Sequence, residues 1–234
     1  MQKDWIHFWQ SENTFCDRDW ISHIRIFLKK SEKYIGFNKD DVVLDIGCGA
    51  GFLAKFLNDK VKEIHCLDTS EKYLQTARQN NAGNKNVHFY LLGPERYTDI
   101  SVLPNIKFTK ILCLSVVQYY NHRDEVKALI KHVQQKCSTG SKFLIADILA
   151  ENNIKSNLLG VLLSQNTFTD ILHNFYLLIR LIFSNYSEYY KKNGLLTISV
   201  QQLNEMIAEL KIKANIIYDQ ITLNKNRLHL LISF

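Results

Sequence analysis

Residues 42–53 read VVLDIGCGAGFL. A β-branched apolar run enters three glycines on alternate positions, Gly47, Gly49 and Gly51, and an apolar stretch resumes at Phe52 and Leu53. Glycine alone takes left-handed backbone dihedrals without strain and lets the main chain approach another group closely, so the pattern predicts a strand, a tight loop and a helix in succession.

Outward from that unit the same alternation repeats. EIHCLD (63–68) precedes a helical pattern from Ser70 to about Asn81, and NVHFYL (86–91) is a third strand. KILCLSV (110–116) precedes a helix from Arg123 to Lys136, and KFLIADI (142–148) follows. Short apolar strands separated by amphipathic helices specify an α/β fold, with a mostly parallel sheet covered on both faces and ligands at the carboxyl ends of its strands. Ser199 is placed to cap a helix over Val200–Leu210, after which KIKANIIY (211–218) and RLHLLISF (227–234), joined across Asn224–Asn226, predict a C-terminal antiparallel hairpin and a seven-stranded sheet.

The first 40 residues hold all three tryptophans, Trp5, Trp9 and Trp20. A short helix over Ile6–Gln10 and a longer one over Trp20–Lys30, striped by Ile21, Ile24, Phe27 and Leu28, make them an N-terminal helical cover, with Trp20 assigned to the core. Residues 41–234 form the main domain, and its insert 151–196, with helices expected over 157–163 and 169–184, is expected to be a lid.

Composition supports one folded domain. The chain has 234 residues, 46% hydrophobic and 22% charged, with two prolines, so neither a disordered tail nor a Pro-rich linker is expected. The net charge of +6 is spread over scattered lysines rather than a basic stripe, which disfavours a nucleic-acid partner. Five cysteines without CxxC spacing read as reduced and buried, with no disulfide framework and no metal site. The N-terminus lacks a secretory pattern, and the apolar segment 176–183 is too short for a bilayer and contains Arg180, so a cytoplasmic protein without a transmembrane segment is expected.

Asp68 ends the second strand where a carboxylate can accept both hydroxyls of a ribose. Asp45, two residues before the first glycine, is unfavourable to a pyrophosphate and favourable to an ammonium or sulfonium, and the loop lacks the GK[ST] ending of a phosphate-binding loop. The combination points to S-adenosylmethionine as cofactor.

VVLDIGCGAGFLAKFL resembles the first motif of the class I S-adenosylmethionine-dependent methyltransferases, a Rossmann-like family, and IHCLDTSEKYLQTAR resembles their second. KILCLSVVQYY is similar to the fourth-strand motif, KFLIADI to the fifth strand, and the closing pair to strands six and seven; the resemblance covers about residues 40–234. It implies that Asp45, Gly47 and Gly49 lie beside the methionine and sulfonium end, with Cys48 and Gly51 in the same cofactor-binding loop. It also implies that Asp68 holds the ribose, Thr69 or Ser70 edges the adenine, and Ser115 and Val116 border the transfer site. LLGPE (91–95) departs from the Asp or Asn that often receives the adenine amino group, leaving that role to the backbone near Gly93 or to Glu95.

SVVQYYNH (115–122) lacks the Pro-Pro pair of adenine and glutamine N-methylating relatives, which favours a small-molecule acceptor methylated at oxygen, nitrogen or carbon. Candidate catalytic groups are Tyr119, His122 and, in the insert, His173 oriented by Asp170; candidate acceptor contacts are Trp5, Trp9, Tyr120 and Arg180. Each has a structural alternative: a tyrosine in the core, His122 in solvent at a helix start, a solvated helix face in the insert. An RNA or protein methyltransferase and a non-catalytic binding module stand as the competing readings.

Overall fold

The computed structural model describes residues 5–11, 17–150 and 185–234. His173, Arg180, Asp170 and both helices expected in the insert lie outside the described residues.

Seven strands run in the order β3-β2-β1-β4-β5-β7-β6. They are β1 (Val42–Ile46), β2 (Glu63–Asp68), β3 (Val87–Leu91), β4 (Phe108–Leu114), β5 (Cys137–Leu149), β6 (Lys213–Ile217) and β7 (Arg227–Ser233). The first five are parallel, and β7 lies between β5 and β6, antiparallel to both. The helices are α1 (Trp5–Gln10), α2 (Asp17–Ile35), α3 (Phe52–Leu57), α4 (Glu71–Asn80), α5 (Arg123–Gln135), α6 (Asn185–Asn193) and α7 (Val200–Leu210).

The apolar runs of β1, β2 and β4 are buried on both faces, as a central parallel sheet requires. Leu44, Ile46, Leu67, Ile111 and Cys113 pack on one side with Val126, Leu129 and Val133 of α5 and Leu203 of α7. Val43, Ile64, Cys66 and Leu112 pack on the other with Leu53 and Leu57 of α3 and Ile24, Phe27 and Leu28 of α2. The long N-terminal helix is therefore a layer of the core. The expected cap is in place, Ser199 forming a capping box with Gln202, and Ser70 Oγ also caps α4 by accepting the Tyr73 N–H.

Gly51 adopts φ +73° at the start of α3, where the chain packs against α4; a Cβ there would meet Ala77 Cβ and Asn81 Nδ2 at 2.8 Å each. Two features differ from the sequence expectation. β5 begins at Cys137 rather than near Lys142, and residues 218–226 form a longer connection between β6 and β7 than a tight turn. Between β3 and β4 there is no helix, only a 3-10 turn at Pro94–Arg96, which leaves one face of β2 and β3 under irregular chain.

None of the described helices is long and apolar enough to cross a membrane.

Candidate active site

The strand order reverses between β1 and β4, and a cavity of about 350 Å³ opens at the carboxyl ends of these strands. Asp45, Gly47, Cys48 and Gly49 line it from the first loop, Asp68 and Thr69 from the end of β2, and Ser115, Val116, Tyr119 and Tyr120 from the end of β4. Trp5 and Trp9 of α1 close it from above.

The glycine loop is clasped to β2. Gly47 N–H and Cys48 N–H both donate to the Leu67 carbonyl, at 2.8 and 3.0 Å, and Gly49 N–H donates to Asp68 Oδ2 at 2.8 Å. Three consecutive N–H groups, the set a phosphate would need, are thus already used within the protein. Gly47 (φ +74°) passes so close to Val116 that a Cβ would sit 2.3 Å from its Cγ2. Gly49 (φ +51°) faces open space on its Cβ side, which leaves room for a ligand against the backbone.

Asp68 also accepts Ser70 N–H at 2.9 Å through Oδ1. Burial pushes its carboxyl above the ordinary value, while the N–H groups of Ser70, Gly49 and Thr69 pull it back. Each oxygen retains a lone pair for a further donor, the requirement for gripping a diol. Asp45 is different. Its Oδ2 is buried and has no hydrogen-bond partner, and burial, with the charge of Asp68 second, raises its pKa to about 7. A buried carboxylate oxygen without a donor is costly alone and is relieved by a cation arriving in the cavity.

The upper wall is aromatic. Trp5 and Trp9 lie 5.1 and 5.2 Å from the Tyr119 ring, and Trp9 lies 6.1 Å from Tyr73. α1 is tied down at both ends: Trp5 Nε1 donates to the Gly194 carbonyl, Gln10 Nε2 to the Thr69 carbonyl, and Ser70 Oγ to the Trp9 carbonyl. Behind the cavity Ser115 (φ +59°) donates at 2.7 Å to the buried Asp147 (φ +68°), which also accepts from Thr222 and Asn224 and pairs with Arg227. Two strained residues joined by a hydrogen bond at the ends of β4 and β5 hold the floor of the site.

Several expected residues fall elsewhere. His122 is exposed at the start of α5, outside this cavity, with its N–H accepted by Glu125 Oε2. Gly93 and Glu95 are exposed and do not line the cavity; Leu92, its N–H donated to the Asp68 carbonyl, does. Gly51 and Ser70 support the loop and α4 without lining the cavity. Burial holds the Tyr119 phenol well above its ordinary pKa, which removes it as a base near neutrality. Trp20 packs against the core as the sequence suggests and also borders the cavity, with Ile24. Lys72, Tyr73 and Thr76 were missed; they follow Asp68 at helical spacing on α4, a signal the sequence does carry.

Residues 43–140 match the family model described as a methyltransferase domain. The chain has the class I S-adenosylmethionine-dependent methyltransferase fold. A Leishmania major S-adenosylmethionine-dependent methyltransferase superposes with a TM-score of 0.65 at 12% identity, covering 97% of this chain and 80% of that one. The plantazolicin methyltransferase BamL, solved with S-adenosylhomocysteine and a desmethyl-plantazolicin analogue, gives 0.62 at 14% identity, covering 99% and 95%. In sequence, the ubiquinone biosynthesis O-methyltransferase of Idiomarina loihiensis is 22% identical over 160 residues, 68% of this chain and 62% of the relative. A 23S rRNA (uracil(1939)-C(5))-methyltransferase of Aliivibrio salmonicida is 37% identical over 81 residues, 34% of this chain and 18% of the relative. The chain thus spans less than two thirds of the length of these two curated relatives.

Proposed function

We propose that the chain is an S-adenosylmethionine-dependent methyltransferase acting on an oxygen, nitrogen or carbon atom of a small, largely apolar molecule. The observation that carries this reading is Asp45: a buried carboxylate oxygen without a partner, in the same cavity as Asp68 and the aromatic wall. An ammonium-bearing amino-acid moiety answers Asp45, a ribose answers Asp68, and the open side of Gly49 admits the chain between them. When bound, S-adenosylmethionine supplies a methyl group on a sulfonium, whose departure as a neutral thioether needs no acid.

The protein's part is orientation and exclusion of water. Trp5, Trp9 and Tyr119 give the acceptor flat apolar surfaces, and α1 with α6 covers the opening. A covered cavity fits a metabolite better than a polymer. With Tyr119 protonated and His122 outside, the carboxylates lining the cavity are the two aspartates assigned to the cofactor. The acceptor best suited to that wall is therefore one that loses no proton before attack or ionises by itself near neutrality.

The test is incubation of the purified chain with methyl-labelled S-adenosylmethionine and separate metabolite and RNA fractions. Label in a small molecule, with S-adenosylhomocysteine formed, supports the reading; label only in RNA replaces it with the polymer reading; tight cofactor binding without turnover in any fraction favours a binding module.

A further inference from the structure

We propose that Glu63, His65 and His88 form a site for one divalent transition-metal ion of the zinc type, on one face of the β2–β3 pair. Glu63 and His65 stand two apart on β2 and so share a face, and His88 is the register partner of His65 on β3. One ligand atom from each of the three lies within 4.8 Å of the others, and the two imidazole rings are 4.7 Å apart. This cluster is separate from the cavity and does not depend on the function proposed above.

His65 is already oriented as a ligating imidazole needs to be. Its Nδ1 lies 3.0 Å from the Tyr90 hydroxyl, which fixes the ring, and its Nε2 lies 3.3 Å from Glu63 Oε2. Phe108 packs edge-on against its ring and keeps it from turning away. His88 makes no hydrogen bond to a described residue and is half-buried, as is Glu63, whose carboxylate already reaches His65. Tetrahedral bonds of about 2.0–2.1 Å put ligand atoms about 3.3 Å apart, a contraction of about 1.5 Å that side-chain rotation supplies. Two imidazoles and one carboxylate select zinc-like ions over calcium or magnesium, and water completes the fourth position. The ion would pin edge strand β3 to β2, three residues before Asp68.

The experiment uses the full chain freed of metal by chelation, titrated with zinc chloride by calorimetry and with cobalt(II) by visible absorption. The expected result is one ion per chain, tetrahedral cobalt bands, and a melting temperature raised by zinc. H88A and E63Q, both at half-exposed positions, should weaken zinc by about tenfold or more, a loss at least as large as removing an outer-shell partner, and abolish the cobalt bands while melting normally without metal. No zinc uptake by the native chain overturns the site. Uptake unchanged in both variants also overturns it, since the ion would then sit elsewhere.

Discussion

The backbone N–H of Gly49 donates to Asp68 Oδ2 at 2.8 Å, so the carboxylate assigned to the ribose is also the clasp that closes the glycine loop. Asp68→Ala removes both functions at once. Cofactor affinity should fall by about a hundredfold, equivalent to about 3 kcal/mol for two charge-assisted hydrogen bonds, while circular dichroism stays that of the native fold. An unchanged dissociation constant in calorimetry would sink the ribose assignment.

Asp45 gives a pH signature. Its folded pKa of about 7 lies above the ordinary 3.8, so protonation is favoured in the empty folded protein. Its contribution to stability is therefore full below about pH 4, is lost as pH rises to about 7, and is constant above. Cofactor capture needs the ionised form and should run the other way, weakening as pH falls below about 7, with protons released on binding at pH 6. Asp45→Asn should be more stable than the native chain at pH 8 by about 2–4 kcal/mol in urea unfolding, yet bind S-adenosylmethionine weakly at every pH. A flat affinity profile between pH 5.5 and 8 (about one unit either side of the expected midpoint) would count against the role.

The glycines should separate by kind. Gly51→Ala presses on Ala77 and Asn81 at φ +73° and should cost about 2–4 kcal/mol of stability with little effect on affinity once folded. Gly49→Ala meets no protein atom but fills the open side of the loop; it should cost about 1–2 kcal/mol and weaken cofactor binding far more than that. Thermal melts and calorimetry on the two variants distinguish these outcomes, and equal affinities would remove Gly49 from the ligand's path.

His122→Ala should retain turnover, because its side chain is exposed and outside the cavity. Tyr119→Phe should likewise keep the rate, whereas Tyr119→Ala opens the wall against Trp5 and Trp9 and should raise KM for the acceptor about tenfold or more, the effect of losing a buried aromatic contact. A large fall in kcat for Tyr119→Phe would restore the phenol to the chemistry.

The alternation of short apolar runs and helical patterns made the sheet legible, because a buried parallel strand must be apolar on both faces and its helix on one. That Asp45, Asp68 and the loop meet in one cavity was legible because all three lie at two neighbouring strand ends. What escaped was tertiary. Nothing around Gly93 tells that the chain turns it outward, and Leu92 takes the place beside Asp68 instead. Trp20 shares its helix with core residues, and only the packing of α2 shows that its ring reaches the cavity edge. The metal-type cluster was equally silent, since Glu63 and His88 are separated by a helix and meet only through register.

The bond from Trp5 to the Gly194 carbonyl joins positions 189 residues apart. Trp5 therefore reaches its native surroundings only once the two ends of the chain have met, so closing of the aromatic wall waits on α6 even where the glycine loop has formed.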